Sequence, residues 1–214
     1  MKTKLTWGMI KACPYTMLLI LGVTLLIMSG CATVRNADVE AGEPAPVAQL
    51  AGKRVAILPV HGDDSIGTNS QLQLKQKLNK GINKKVTSLL PSAQIVSPTE
   101  SIKFLNDTEQ LSLIDSLFNS YKSMGFFDSK TVAKLAKTLN CDYIFIPALN
   151  NENLDAVLAS VNTSALDIIL ISNKNDTLWT GSGDFKKGGI FGTGRTNASE
   201  VAKELVDLTF AYWQ

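Results

Sequence analysis

Val55, Ala56, Ile57 and Leu58 follow one another with no polar residue between them. A strand with one wet face alternates apolar and polar side chains, so this uninterrupted run marks a strand covered on both faces. Pro59 lacks a backbone donor and marks the end of that strand, read here as residues 53–60. Such a chain must supply a layer on each side of a sheet, and the next segment supplies one. Leu74, Leu78, Ile82, Val86 and Leu89 recur at helical spacing and define one face of a helix over residues 70–90. Lys75, Lys77, Lys80, Lys84 and Lys85 fill the rest of its circumference, which reads as a solvated face and not as a membrane or nucleic-acid surface. Pro91 ends the helix, and Gln94, Ile95 and Val96 form a short second strand.

The rest of the chain keeps this grammar. Ser97, Pro98, Thr99 and Glu100 make a capping box with proline at the first helical position, and a short helix runs to about residue 106. A second is expected near 109–124, with Leu113, Leu117, Tyr121 and Met124 on one side and Gly125 ending it in a left-handed conformation. Asp128 caps a third over 129–139, with Phe127 stapled onto Val132 and with Leu135 and Leu139 buried. Residues 142–149 are a strand with bulk on both faces, and 154–161 read equally as strand or covering loop. Residues 164–172 and 177–185 form an antiparallel pair around a polar turn. A glycine-rich connection, 186–196, leads to a helix over 197–213 with Val201, Leu205, Leu208 and Tyr212 inward and Glu200 and Glu204 outward. The fold class is α/β: a single, three-layer-like domain with a mixed sheet of about five strands flanked by helices.

Ahead of that domain lie 13 mostly apolar residues, Thr16 to Met28, too few for the roughly 20 a membrane span needs. Lys2, Lys4 and Lys11 precede them, as in a secretory signal. Met28, Ser29, Gly30 and Cys31 resemble the lipobox of bacterial lipoproteins, although Met28 stands where leucine is usual. The resemblance implies cleavage before Cys31 and acyl chains on that cysteine, anchoring the chain to a membrane; the competing reading is an uncleaved anchor or an ordinary signal with an incidental cysteine. Two or more acyl chains, at about 0.8 kcal/mol per buried methylene, hold a protein durably on a bilayer. The expected organisation is a lipoprotein signal peptide over 1–30, a lipidated cysteine and flexible tether over 31–52, and a periplasmic domain over 53–214.

The formal charge of +2 includes the signal; without Lys2, Lys4 and Lys11, 18 basic residues face 19 acidic ones. No basic stripe with interleaved aromatics remains, so no nucleic-acid partner is expected. Of the three cysteines, Cys13 belongs to the signal, Cys31 to the lipid, and Cys141 sits alone at the start of an apolar strand. Cys141 therefore reads as a small core residue.

Val55 to Val60, Gly125 to Asp128, Leu139 to Ile144 and Thr177 to Gly181 together resemble bacterial envelope proteins: the amino-terminal domain of TolB, the lipoproteins that activate penicillin-binding proteins, and the curli-export lipoprotein. The resemblance implies an α/β fold and an outer-membrane, periplasm-facing location, and leaves the role open because members share a fold and differ in task. Ala32 is compatible with the outer membrane, since aspartate there retains many lipoproteins in the inner membrane. Neither 150–163 nor 186–196 has room for a pair of membrane strands, each of about 9 to 11 residues, so no pore is expected.

Candidate chemistry is sparse. His61, Asp63 and Asp64 lie in a strand-end loop, 61–69, without a recognisable metal-ligand spacing, and no metal or cofactor is expected. Residues 189–196, GIFGTGRT, nearly match the phosphate-cradling loop G-x-x-x-x-G-K-[ST], with Arg195 where lysine is required. Gly189, Gly192, Gly194, Arg195 and Thr196 are thus candidate ligand or interaction residues. With one histidine and no nucleophile context, no catalytic set is expected. Asp63, Asp64, Asp142 and Glu152 all lie near predicted strand ends. Trp179 is expected to pack under the last helix, whereas Trp213 reads equally as core or as a partner contact. The sequence points to a non-enzymatic, lipid-anchored accessory module with an envelope protein partner, or alternatively to a small-ligand or nucleotide binder using 188–196.

Overall fold

A computed structural model describes residues 45–62, 69–153, 162–187 and 197–213. The sheet has six strands: β1 (Arg54–Ile57), β2 (His61–Gly62), β3 (Gln94–Val96), β4 (Tyr143–Asn153), β5 (Asn162–Ser172) and β6 (Thr177–Lys187). Their order is β3-β1-β4-β5-β6, with β2 beside β4. β1 runs parallel to β3 and β4, β2 runs parallel to β4, and β4, β5 and β6 form an antiparallel meander. The helices are α1 (Val47–Leu50), α2 (Asn69–Leu89), α3 (Pro98–Asp107), α4 (Ser112–Met124), α5 (Ser129–Leu139) and α6 (Ala198–Thr209). The architecture is α/β with a mixed sheet, as the sequence reading has it.

The apolar run of β1 divides between two cores. Val55 and Ile57 join one with Leu74, Leu78, Ile82 and Val86 of α2, Leu205 of α6, and Phe145 and Leu170 of the sheet. Ala56 and Leu58 join the other with Leu105, Leu117, Phe118, Val132, Leu135 and Leu139 of α3, α4 and α5. Pro147, in the middle of an inner strand, falls between the β4 residues paired with β1 and those paired with β2. Leu58 N donates to Phe145 O at 2.9 Å. Pro147, two residues on, faces the same side, so its missing donor meets the gap between two short strands.

Several helix signals act as expected. The Ser97 and Glu100 box is complete, Gly125 ends α4 at φ 76°, and the Asp128 carboxylate accepts from Thr131 N at 2.9 Å. Other expectations are corrected. The loop expected over 61–69 opens with a two-residue strand, since His61–Gly62 pairs with Ala148 and Leu149, and among the described residues this brings the expected sheet of about five strands to six; two residues carry no periodicity to detect. The tether expected over 31–52 is shorter at its far end, since Ala45 and Leu50 are core residues and Gly52 N donates to Ser92 O at 2.9 Å. Helix α4 starts at Ser112, since Glu109 takes a left-handed φ of 55°. It buries Leu113, Ile114, Leu117 and Phe118, leaving Tyr121 and Met124 42% and 48% exposed.

The last helix stops at Thr209, short of Trp213. Phe210 and Trp213 then turn inward, and Tyr212, expected inside, is exposed. Trp179 and Trp213 meet edge to face at 4.7 Å, and Trp179 stacks on Phe210 at 5.4 Å. Trp213 is therefore core. The strands β4, β5 and β6 extend beyond the expected ranges, to Asn153, Asn162 and Lys187. Residues 154–161 lie outside the described residues.

Candidate functional site

The two crossovers lie on opposite faces: α2 joins β1 to β3 on one, and α3, α4 and α5 join β3 to β4 on the other. The connection therefore changes sides between β1 and β4, and in open α/β sheets the carboxyl ends of strands at such a point form the usual ligand crevice. That end holds His61. Its ring stacks on Phe118 with centroids 3.9 Å apart and planes 10° apart. Lys75 Nζ donates to Gly62 O at 3.1 Å, and Asn79 Oδ1 accepts from Val60 N at 2.8 Å. Gly62 is required for this approach, since a methyl there would stand 2.9 Å from Leu149 O. Polar side chains of α2 thus complete the backbone of a strand too short to complete itself.

Further along the same end, the Asp167 carboxylate accepts from Asn150 Nδ2 at 2.9 Å and from Ser182 Oγ at 2.6 Å. This ties β4, β5 and β6 together. Among the described residues no group of three or more His, Cys, Asp or Glu side chains is placed to hold a metal ion. Asp63 and Asp64 lie outside the described residues, as do Cys31, Gly189, Gly192, Gly194, Arg195 and Thr196. The described flanks of the glycine-rich connection are Lys187 at the end of β6 and Asn197, whose Oδ1 accepts from Ser199 N at 3.0 Å to cap α6. Asp142 and Glu152 do not meet. They stand at opposite ends of β4, roughly 33 Å apart at about 3.3 Å per residue.

Asp142 belongs instead to the amino end of the sheet. Its Oδ2 accepts from Arg54 N at 3.0 Å, its own N donates to Arg54 O at 2.8 Å, and its carbonyl accepts from Asn173 N at 2.8 Å. These bonds fasten the first residues of β1 and β4. Beside them is a groove of about 560 Å³, lined by Arg54 and Asp142 with Gln94, Lys137, Asn140 and Asn173. Arg54 Nε is buried and makes no hydrogen bond. Cys141 also lines the groove, but burial pushes its thiol up to about 12, so it is no nucleophile at neutral pH. Sequence reasoning missed Arg54; the available signal was a cation opening a strand that is otherwise apolar.

A third feature is apolar. Six of the nine large hydrophobics exposed among the described residues fall between 102 and 126: Ile102, Phe104, Leu111, Tyr121, Met124 and Phe126. They lie on α3, on α4 and at the ends of α4, so the exposed apolar surface is concentrated on one helical layer.

No protein-family model matches the chain. No curated protein matches it either. Among solved structures it is similar to a PelC dodecamer from Paraburkholderia phytofirmans, at 13% identity over 82% of this chain and 96% of that one, with a TM-score of 0.46. It is also similar to the hypothetical protein CT253 from Chlamydia trachomatis, at 11% identity over 75% of this chain and 90% of that one, TM-score 0.44. The LpoB C-terminal domain from Escherichia coli matches at 11% identity over 64% and 90%, TM-score 0.34. The chain is similar to each to that extent, and no residue role is taken from them.

Proposed function

We propose that this chain is a lipid-anchored accessory module of the bacterial envelope, held in the outer membrane by acyl chains on Cys31 and acting by contact with an envelope protein in the periplasm rather than by catalysis. The anchoring half of the reading rests on Cys31 directly after Ser29 and Gly30, behind a short apolar segment with a basic start. No helix among the described residues is long and apolar enough to cross a membrane. The contact half is carried by one observation: exposed Tyr121, Met124 and Phe126 cluster around the end of α4 on the helical layer that holds most of the exposed large hydrophobics. Clustered exposed apolar side chains on a folded domain favour a protein partner.

The test is cross-linking in intact cells followed by mass spectrometry, with Cys31→Ser and with a Met124→Glu, Phe126→Asp double variant. Cys31→Ser is expected to lose its lipid mass and most of its captured partner. The double variant is expected to keep the lipid and the urea midpoint while losing the partner. Capture that survives the double variant unchanged would remove the α4 surface from the reading. A lipidated protein that captures nothing, together with phosphate-ligand heat that disappears in Arg195→Ala, would replace it by the small-ligand reading of residues 188–196.

A further inference from the structure

The groove at the amino ends of β1 and β4 contains the only cationic side chain among the described residues with a buried donor left unpartnered. Arg54 shares a sheet face with Ala56, on the side of α3, α4 and α5. Two carboxylates of the same region, Asp142 and Glu100, accept hydrogen bonds from groups other than the guanidinium. Asp142 Oδ2 accepts from the Arg54 backbone at 3.0 Å. Glu100, which feels the Arg54 charge, is held by Ser97 Oγ at 2.7 Å and Ser97 N at 2.8 Å. The Nε–H of Arg54 is left without an acceptor beside the groove that Arg54 lines. A buried donor without an acceptor costs about 1 to 3 kcal/mol, and more when the group is charged, so an occupant bearing an oxyanion would recover that energy.

The other lining groups narrow the occupant. Lys137 adds a second positive charge and Asp142 subtracts one, leaving a formal +1 among the ionised side chains of the groove, which suits a monoanion better than a phosphate dianion. Gln94, Asn140 and Asn173 contribute amides, each able to donate and accept. At about 560 Å³ the groove is of small-ligand size. We infer that it binds the free carboxylate terminus of a peptide, the Arg54 fork taking the carboxylate and the lining amides taking the adjoining peptide groups. This inference is independent of the envelope role, which places the partner contact on α4.

The probe is N-acetyl-alanyl-alanine, titrated into the mature, lipidated chain in detergent micelles, read by calorimetry and by the nitrogen and proton shifts of Arg54 Nε–H. The free acid is expected to bind and to move that resonance. Its C-terminal amide is expected to bind at least about tenfold more weakly, and Arg54→Lys, which keeps the charge and loses the fork, to weaken the acid by about tenfold. Lys134→Ala, outside the groove, should leave affinity unchanged. Acid and amide binding alike, acetate alone matching the peptide, or an Arg54 signal unmoved at about 10 mM acid would each overturn the inference. If Arg54→Lys fails to fold by circular dichroism, Lys137→Ala and Asn173→Ala decide: severalfold weakening in both supports the groove, and full affinity in both removes it.

Discussion

Cys141 and Arg54 stand on neighbouring strand starts, and they differ in how much of their state a linear reading contains. The thiol of Cys141 sits in the second core, and its ionisation is pushed up to about 12. An unfolded chain releases that proton near pH 8.5, so this group's contribution to stability is complete below that value and declines as the pH rises toward 12. Cys141→Ala is expected to flatten the alkaline fall in urea midpoint, measured from pH 8 to 11; an unchanged slope would mean the thiol is hydrated. Glu100 has the opposite sign. Hydrogen bonds from Ser97 hold its carboxyl below the ordinary value, so its contribution is present at neutral pH and vanishes as the pH drops through the folded value. Ser97→Ala is expected to lose about 1 kcal/mol at pH 7 by urea denaturation, and the gap to wild type should shrink near pH 2. Both residues were legible because their determinants are local: apolar flanks for the cysteine, a four-residue motif for the serine. Arg54 was not, because the residue that fixes its backbone lies 88 positions away.

At the scale of elements, local signals and packing geometry part company. Caps placed the starts of α3 and α5, and periodicity placed the buried face of α2. Periodicity failed where a neighbour covers only part of a helix. The outer turns of α4 pass beyond the second core, so Tyr121 escapes burial and lies against Phe127 at 4.7 Å. The strand β2 escaped notice because it exists only through pairing with β4 and support from α2. The seating of α6 is another non-local matter. A methyl at Gly181 would overlap the Trp179 ring and the Thr209 carbonyl, and one at Gly183 would come within 2.8 Å of Thr209 N. Close helix-on-strand contact, rather than a turn, accounts for these glycines. Gly183→Ala is expected to lower stability by about 1 to 3 kcal/mol and to shift tryptophan fluorescence, since Trp179 packs on Phe210 and Trp213, which directly follow α6. An unshifted spectrum with full stability would show that α6 has slack.

At the scale of the whole molecule, the domain begins earlier than its composition indicates. Residues 45–52 look like linker, yet Leu50 is fully buried beside α2 and β1. Leu50→Ala is expected to lose about 2 to 5 kcal/mol in urea denaturation, whereas a linker residue would lose almost nothing. The parallel pairing of β1 with β4 also sets an order of events. The meander of β4, β5 and β6 joins near neighbours in the chain, while β1 bonds across 88 positions. Closing so large a loop delays β1 relative to the meander, because long-range contacts form late. Pulse-labelled hydrogen exchange during refolding should show amides of β5 protected before those of β1; simultaneous protection would mean a nucleus that already spans both halves. A chain emerging amino-terminus first can pair β1 with β3 after some forty residues, but must carry the other edge of β1 unpaired until some ninety have followed it. The interval is a window in which chaperones, proteases and stray sheet edges compete for the same four residues.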